Sequence, residues 1–158
     1  MTPRTRGLLV AVAAIAGVAA AFPVMRGEPE AVQLVPGPAY ESVREAGFLE
    51  ARLRDDGSVR SIHASGVPGA TVEMADVLAV RNPHPVPQEV RLTTIRAPPE
   101  GIQYRIVAAD GTVWQPGSGT SDAIVVPARG FLPLTLVLEW TEGATAAEWS
   151  WGLVWSPA

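Results

Sequence analysis

The chain contains no cysteine and no lysine. The first absence excludes disulfides, thiolate nucleophiles, zinc–thiolate sites and an acylated lipoprotein cysteine. The second excludes Schiff-base and P-loop lysines and lysine-linked isopeptide bonds. Histidine is almost as scarce: His63 and His84 are the two imidazoles. Neither has carboxylate or imidazole partners at a spacing that suits a metal centre or a general base. We therefore expect no catalytic residue, no metal and no cofactor, and read the chain as non-enzymatic. The single Asn, Asn82, precedes Pro83, so no N-glycosylation sequon exists. All 12 basic residues are Arg, and against 16 acids they leave a formal charge of -4. Nucleic acid is thus not an expected partner.

What is present suits one folded domain with a terminal appendage. The 158 residues are 47% hydrophobic and 18% charged, enough apolar material for a core. Fifteen Pro and 15 Gly favour many turns between short strands over a helical bundle. Arg4 and Arg6 precede a low-polarity run from Gly7 to Val24, and Ala19-Ala20-Ala21 has the small-residue pattern that signal peptidases cut. Seven Ala and two Gly make this run only weakly lipophilic, which favours cleavage after Ala21 over retention as a membrane anchor. Either outcome places the remainder outside the cytoplasm, and membrane contact is expected only through residues 7–24 if the segment stays. Residues 1–26 are thus read as a signal peptide or anchor helix. Residues 27–46 are read as a Pro- and Gly-rich spacer, with a short helical turn from Tyr40 to Ala46.

Beyond Gly47 the period becomes two, and residues 47–158 are read as the folded domain. Leu49, Ala51 and Leu53 alternate with Glu50, Arg52 and Arg54, and Asp55-Asp56-Gly57 then turns the chain toward Val59 to His63. Val72, Met74, Leu78 and Val80 share one parity, broken by Asp76. Val90 and Leu92 share a face, as do Ile102, Tyr104, Ile106 and Ala108, after which Asp110-Gly111 signals a hairpin into Val113-Trp114. Leu132, Leu134, Leu136, Leu138 and Trp140 form the longest stripe. Trp149, Trp151, Leu153 and Trp155 form the last, as expected of a strand packed on a core or a partner. About eight short strands at this spacing predict an all-β fold, an antiparallel immunoglobulin-like sandwich held by packing alone.

Other fragments carry no chemistry. Asp55-Asp56-Gly57 lacks the remaining ligand positions of a calcium loop. Gly117-Ser118-Gly119-Thr120 has neither the strand–turn–helix context of a nucleophile elbow nor the glycine spacing of a phosphate cradle. Leu132-Pro133-Leu134-Thr135 lies inside a strand and lacks the Gly of a sortase signal.

The stretch Asp76–Gly143 carries a resemblance. It combines a strand ending in Val80-Arg81-Asn82-Pro83 with a Tyr-led strand, Tyr104 to Ala108, that runs through Asp110-Gly111-Thr112 into Val113-Trp114. A long strand closed by Glu139-Trp140-Thr141-Glu142-Gly143 completes it. This order resembles the intracellular proteinase inhibitor family known as BsuPI, whose members are single immunoglobulin-like domains. The chain departs from that pattern at Gln115-Pro116, at Asp122-Ala123 and at Pro127-Ala128-Arg129-Gly130. A shorter likeness, Ala46 to Leu53 after an export segment, is similar to secreted filament subunits of the TasA and camelysin type.

Two function classes follow. The first is an exported protein-binding sandwich, with a proteinase as the partner that the resemblance implies. The second is a structural surface subunit that self-associates by strand pairing. For the first, the contact residues are expected in the loop Asn82–Gln88, where Pro83, Pro85 and Pro87 fix φ at every second residue. His84, Pro85 and Val86 are the candidates there, with Trp114 and Gln115 on a neighbouring loop.

Overall fold

The computed structural model describes residues 31–96, 101–114, 122–141 and 143–158, and Ala31–Ala158 form one compact unit. The segment 7–24, with the expected signal or anchor helix, and Gln115 lie outside the described residues. Among those described, no helix is long and apolar enough to cross a membrane.

The described chain is mostly β. In order it forms β1 (Gln33–Pro36), α1 (Tyr40–Glu45), β2 (Leu49–Leu53), β3 (Val59–Ser65), β4 (Thr71–Arg81), β5 (Gln88–Arg96) and β6 (Ile102–Ala108). It continues with β7 (Val113–Trp114), β8 (Ile124–Val126), β9 (Phe131–Trp140) and β10 (Ala146–Pro157). All pairings are antiparallel, in two five-stranded sheets ordered β1-β4-β9-β6-β7 and β2-β3-β10-β5-β8. The alternating apolar positions set this arrangement, because each stripe must turn one face from water. Leu134, Leu136, Leu138 and Trp140 of β9 are buried with Ile106 of β6, and Val90 and Leu92 of β5 with Trp149 and Trp151 of β10, in one shared core. Tyr104 of the first sheet meets Trp149 of the second edge-on at 5.6 Å between ring centres. Trp149 in turn stacks on Trp151 at 6.4 Å, and the Trp151 indole N–H donates to the Tyr104 hydroxyl at 3.3 Å.

Two strands appear that alternation does not reveal. The three-residue β8 pairs with the start of β5. β1 lies in the stretch read as a spacer, which corrects that boundary. Gln33 to Pro36 pair with Arg81 to Leu78 of β4, and Val32 and Leu34 are buried. Pro36 ends the strand, and Gly37 then lies so close to β4 that a Cβ there would stand 2.3 Å from the Asp76 carbonyl oxygen. Asp76 adopts φ +55 at a bulge that shifts the β4 register between Met74 and Leu78. The parity break at Asp76 in the sequence is this bulge. The helical turn of α1 follows, and the Tyr40 hydroxyl accepts the Ala51 N–H at 2.8 Å, tying α1 to β2.

Among the described residues, one seam in the second sheet is open. β10 pairs with β3 only through Ala146–Trp149, whereas its β5 pairing runs from Ser150 to Pro157. The β2–β3 hairpin bends away instead, and its tip reaches the first sheet: Gln33 Nε2 donates to Asp56 Oδ2 at 2.9 Å. Asp56 also accepts from the Ser58 backbone N–H and hydroxyl. These bonds to the charged form, the Ser58 hydroxyl first, hold its carboxyl below the ordinary carboxylate value.

Candidate functional site

The loop from Asn82 to Pro87 joins β4 to β5, and so crosses from one sheet to the other. Pairing of Arg81 with Phe131 and of Gln88 with Val126 and Pro157 gathers several chain segments at this end. They are the 82–87 loop, the Pro127–Gly130 turn and the end of β10. The Asp110–Gly111 hairpin joins them, since Ala109 N–H donates to Pro133 O at 3.1 Å.

Asn82 organises this end. It is 1% exposed, and its Nδ2 donates to the carbonyls of Val86 (3.0 Å), Val126 (3.2 Å) and Pro127 (3.0 Å). Its Oδ1 accepts the His84 N–H at 2.9 Å, and its own N–H donates to Gly130 O at 2.8 Å. A side-chain amide suits this place because it presents two N–H donors and a separate carbonyl acceptor on a short stem, whereas a hydroxyl has a single hydrogen to donate. The opposite turn is locked as well: Arg129, at φ +50, donates its N–H to His84 O at 2.8 Å. The far side is fixed where Ala158 N–H donates to Pro87 O at 3.1 Å. Three prolines supply further stiffness. The segment is therefore an ordered, extended turn, with the His84 N–H and the carbonyls of His84, Val86 and Pro87 all engaged.

What this turn shows to solvent is apolar. Pro85, Val86 and Pro87 are exposed, and across the Arg81–Phe131 pairing lies Phe131, itself 45% exposed. His84 behaves differently from the expectation of a contact residue. It is half-buried, and its Nε2 is shut off from solvent with no hydrogen-bond partner among the described residues. Its main contribution is backbone anchoring, through the bonds to Asn82 and Arg129.

Trp114, expected as a contact, is corrected to a core residue. It is 1% exposed, and its indole N–H donates to the Asp122 carbonyl. The reason is its parity: Trp114 pairs with buried Ile106 of β6 and shares its face. The antiparallel direction of β7 also sets Trp114 one step further than Val113 from the end where the 82–87 loop sits, so Trp114 and that loop do not make one surface.

Sequence reasoning missed Phe131 and the Arg129 turn as neighbours of the loop. The signal available was faint: a lone Asn before Pro, at the end of a strand whose partner had still to be found. No group of three or more His, Asp or Glu side chains among the described residues is placed to hold a metal ion. A comparison with protein-family models returns no match, and a comparison with curated proteins returns none either.

Proposed function

We propose that the chain is an exported, non-enzymatic, immunoglobulin-like module that binds another protein through the rigid end formed by Asn82–Gln88 and Pro127–Phe131. The observation that carries this reading is the Asn82 network. Ordering a loop on binding costs about 0.5–1.5 kcal/mol for each immobilised side chain, and a turn already locked by Asn82, Arg129 and three prolines avoids much of that cost. Exposed Pro85, Val86 and Phe131 supply apolar contact area at this end. The resemblance to proteinase inhibitors makes a proteinase the first partner to test. A rigid extended segment suits that role, because it enters a substrate cleft and resists cleavage there.

The test is titration of a panel of serine proteinases with the purified protein. Stoichiometric loss of activity for at least one proteinase, abolished by Val86→Asp, is expected. Cleavage within 82–88 without inhibition, or no effect across the panel, overturns the inhibitor reading. Export is checked separately by the intact mass of the protein recovered from the cell envelope or medium. A chain starting at Phe22 is expected. One starting at Met1 would establish a retained anchor, and recovery from cytosol alone would reject export.

A further inference from the structure

A groove of about 520 Å³ opens on the second sheet, where Arg52, Arg60, Ile95, Arg96, Glu148 and Ser150 are among its lining residues. It follows the seam where β3 parts from β10. Two register shifts build it. On β3, Arg52 and Leu53 of β2 face Ser61 and Val59, so Arg60 is an extra residue. On β5, Ser150 and Trp151 of β10 face Arg96 and Thr94, so Ile95 is an extra residue. A bulge re-aims the side chain at the inserted position and bends the strand. Here the two inserted residues, Arg60 and Ile95, line the same groove from its two walls. The Ser150 hydroxyl donates to Arg60 O at 3.2 Å across it.

The charge of the groove runs against that of the domain. Residues 31–158 hold nine Arg against fourteen Asp and Glu, a formal charge of -5, yet the lining has three Arg and one acid. Glu148 is taken by Arg96 at 2.9 Å. Arg52 and Arg60 have no carboxylate partner among the described residues. Ser150 lines the groove with them, and from it β10 runs on to Pro157 with β5 as its sole strand partner among the described residues. An open strand edge offers backbone donors and acceptors in a row, and a row of that kind is matched by another extended polypeptide.

We infer that the seam between the β2–β3 hairpin and β10 is a second binding site, which accepts an extended acidic segment of a partner protein as an added strand. Main-chain bonds to the β10 edge hold the segment, and Arg52 and Arg60 select carboxylate side chains by their planar, forked donors. Exposed Val154 of β10 and Ile95 of β5 provide an apolar border for alternate residues. Nucleic acid is a poor occupant, since two free Arg on a chain of net negative charge neutralise few phosphates. The arginine end of the site lies away from the Asn82 end: Ser150 pairs with Arg96, eight steps along β5 from Gln88, or about 26 Å of strand, and the β10 edge runs from the one toward the other.

The experiment uses the purified protein and a fluorescein-labelled octapeptide of alternating Glu and Val, with a Lys–Val octapeptide as control. The Glu–Val peptide is expected to bind, to weaken several-fold between 50 and 300 mM salt, and to lose at least tenfold in affinity with R52E/R60E. Hydrogen exchange at Gly152–Ser156 should slow when it is bound. Both arginines are exposed, so the double variant is expected to melt like the parent, and Val86→Asp should leave peptide binding intact. Absence of binding, equal binding of the Lys–Val peptide, or unchanged affinity of R52E/R60E overturns the inference. So does binding without protection of Gly152–Ser156, or a single-stranded oligonucleotide bound with the same dependence on Arg52 and Arg60. A single Arg52→Ala variant, expected to lose about threefold, decides the matter should the double variant melt early.

Discussion

At the scale of single residues, the most consequential side chain is Asn82. Replacing it by Ala leaves three carbonyls and one N–H without their partner at a buried position. Each unsatisfied group costs about 1–3 kcal/mol, with some recovered by relaxation and water. Asn82→Ala is therefore expected to lower stability by about 3 kcal/mol in denaturant unfolding, and to make the 82–88 segment a site of proteolytic nicking. Stability within 0.5 kcal/mol of the parent would show that the prolines alone hold the turn. Asp56 behaves in the opposite sense, as an exposed group whose effect depends on pH. Its folded carboxyl titrates below its unfolded value because Ser58 and Gln33 donate to the charged form. Such a group stabilises the fold above the ordinary carboxylate value of about 3.9, and that contribution disappears as pH falls through the lowered one. Protection of the Ser58 amide, its exchange rate relative to that of an unfolded peptide at the same pH, should therefore be high at neutral pH and fall as pH drops below the ordinary carboxylate value and through the lowered one. Asp56→Asn should remove the pH dependence and leave the tip looser throughout.

At the scale of elements, β10 is the strand whose role is most readily measured. Trp149 and Trp151 are 0% and 4% exposed, while Trp155 is 37% exposed, although all three share one parity. The gradient follows the seam: the covering β3 strand ends its pairing at Trp149, so the distal indole loses shelter. Trp151→Ala is expected to cost about 3–5 kcal/mol, with loss of the Tyr104 contact, whereas Trp155→Ala should cost about 1 kcal/mol or less. Chemical denaturation of the two variants distinguishes them; equal losses would mean that the distal end of β10 is covered after all. The same strand shows what was legible beforehand. Its stripe of indoles predicted a strand, as the stripe from Leu132 to Trp140 predicted β9 and the alternation from Leu49 to Leu53 predicted β2, because period two is written directly in side-chain polarity. β1 escaped because four residues between prolines and glycines carry too little periodicity. Its strand character comes from Val32 and Leu34 finding a buried place against β4. The Asn82 hub, the core position of Trp114 and the two bulges around the arginine groove escaped for a related reason. Each depends on which strands meet across the sheets, and pairing over long sequence separations leaves no local pattern.

At the scale of the whole molecule, the question is what the sheet edges do when copies meet. Edge strands invite pairing with other chains, and proteins protect them by making them short or by ending them with proline. The first sheet ends in β1, four residues closed by Pro36, and in β7, two residues long. The 33–36 segment completes its own sheet, where a subunit that polymerises by strand donation would offer such a segment to a neighbour. The net negative charge of the domain adds mutual repulsion. Residues 31–158 are therefore expected to run as a monomer in size exclusion with light scattering. A shorter form starting at Ala39 removes β1, bares the Leu78–Arg81 edge of β4 and uncovers the core beneath Val32 and Leu34. That form should lose several degrees in melting temperature and gain dimers or larger species with rising concentration. If it stays monomeric and melts like the longer form, β1 protects nothing. If the longer form is itself polydisperse, β1 exchanges between copies, and a surface subunit built by strand pairing becomes the better account of this chain.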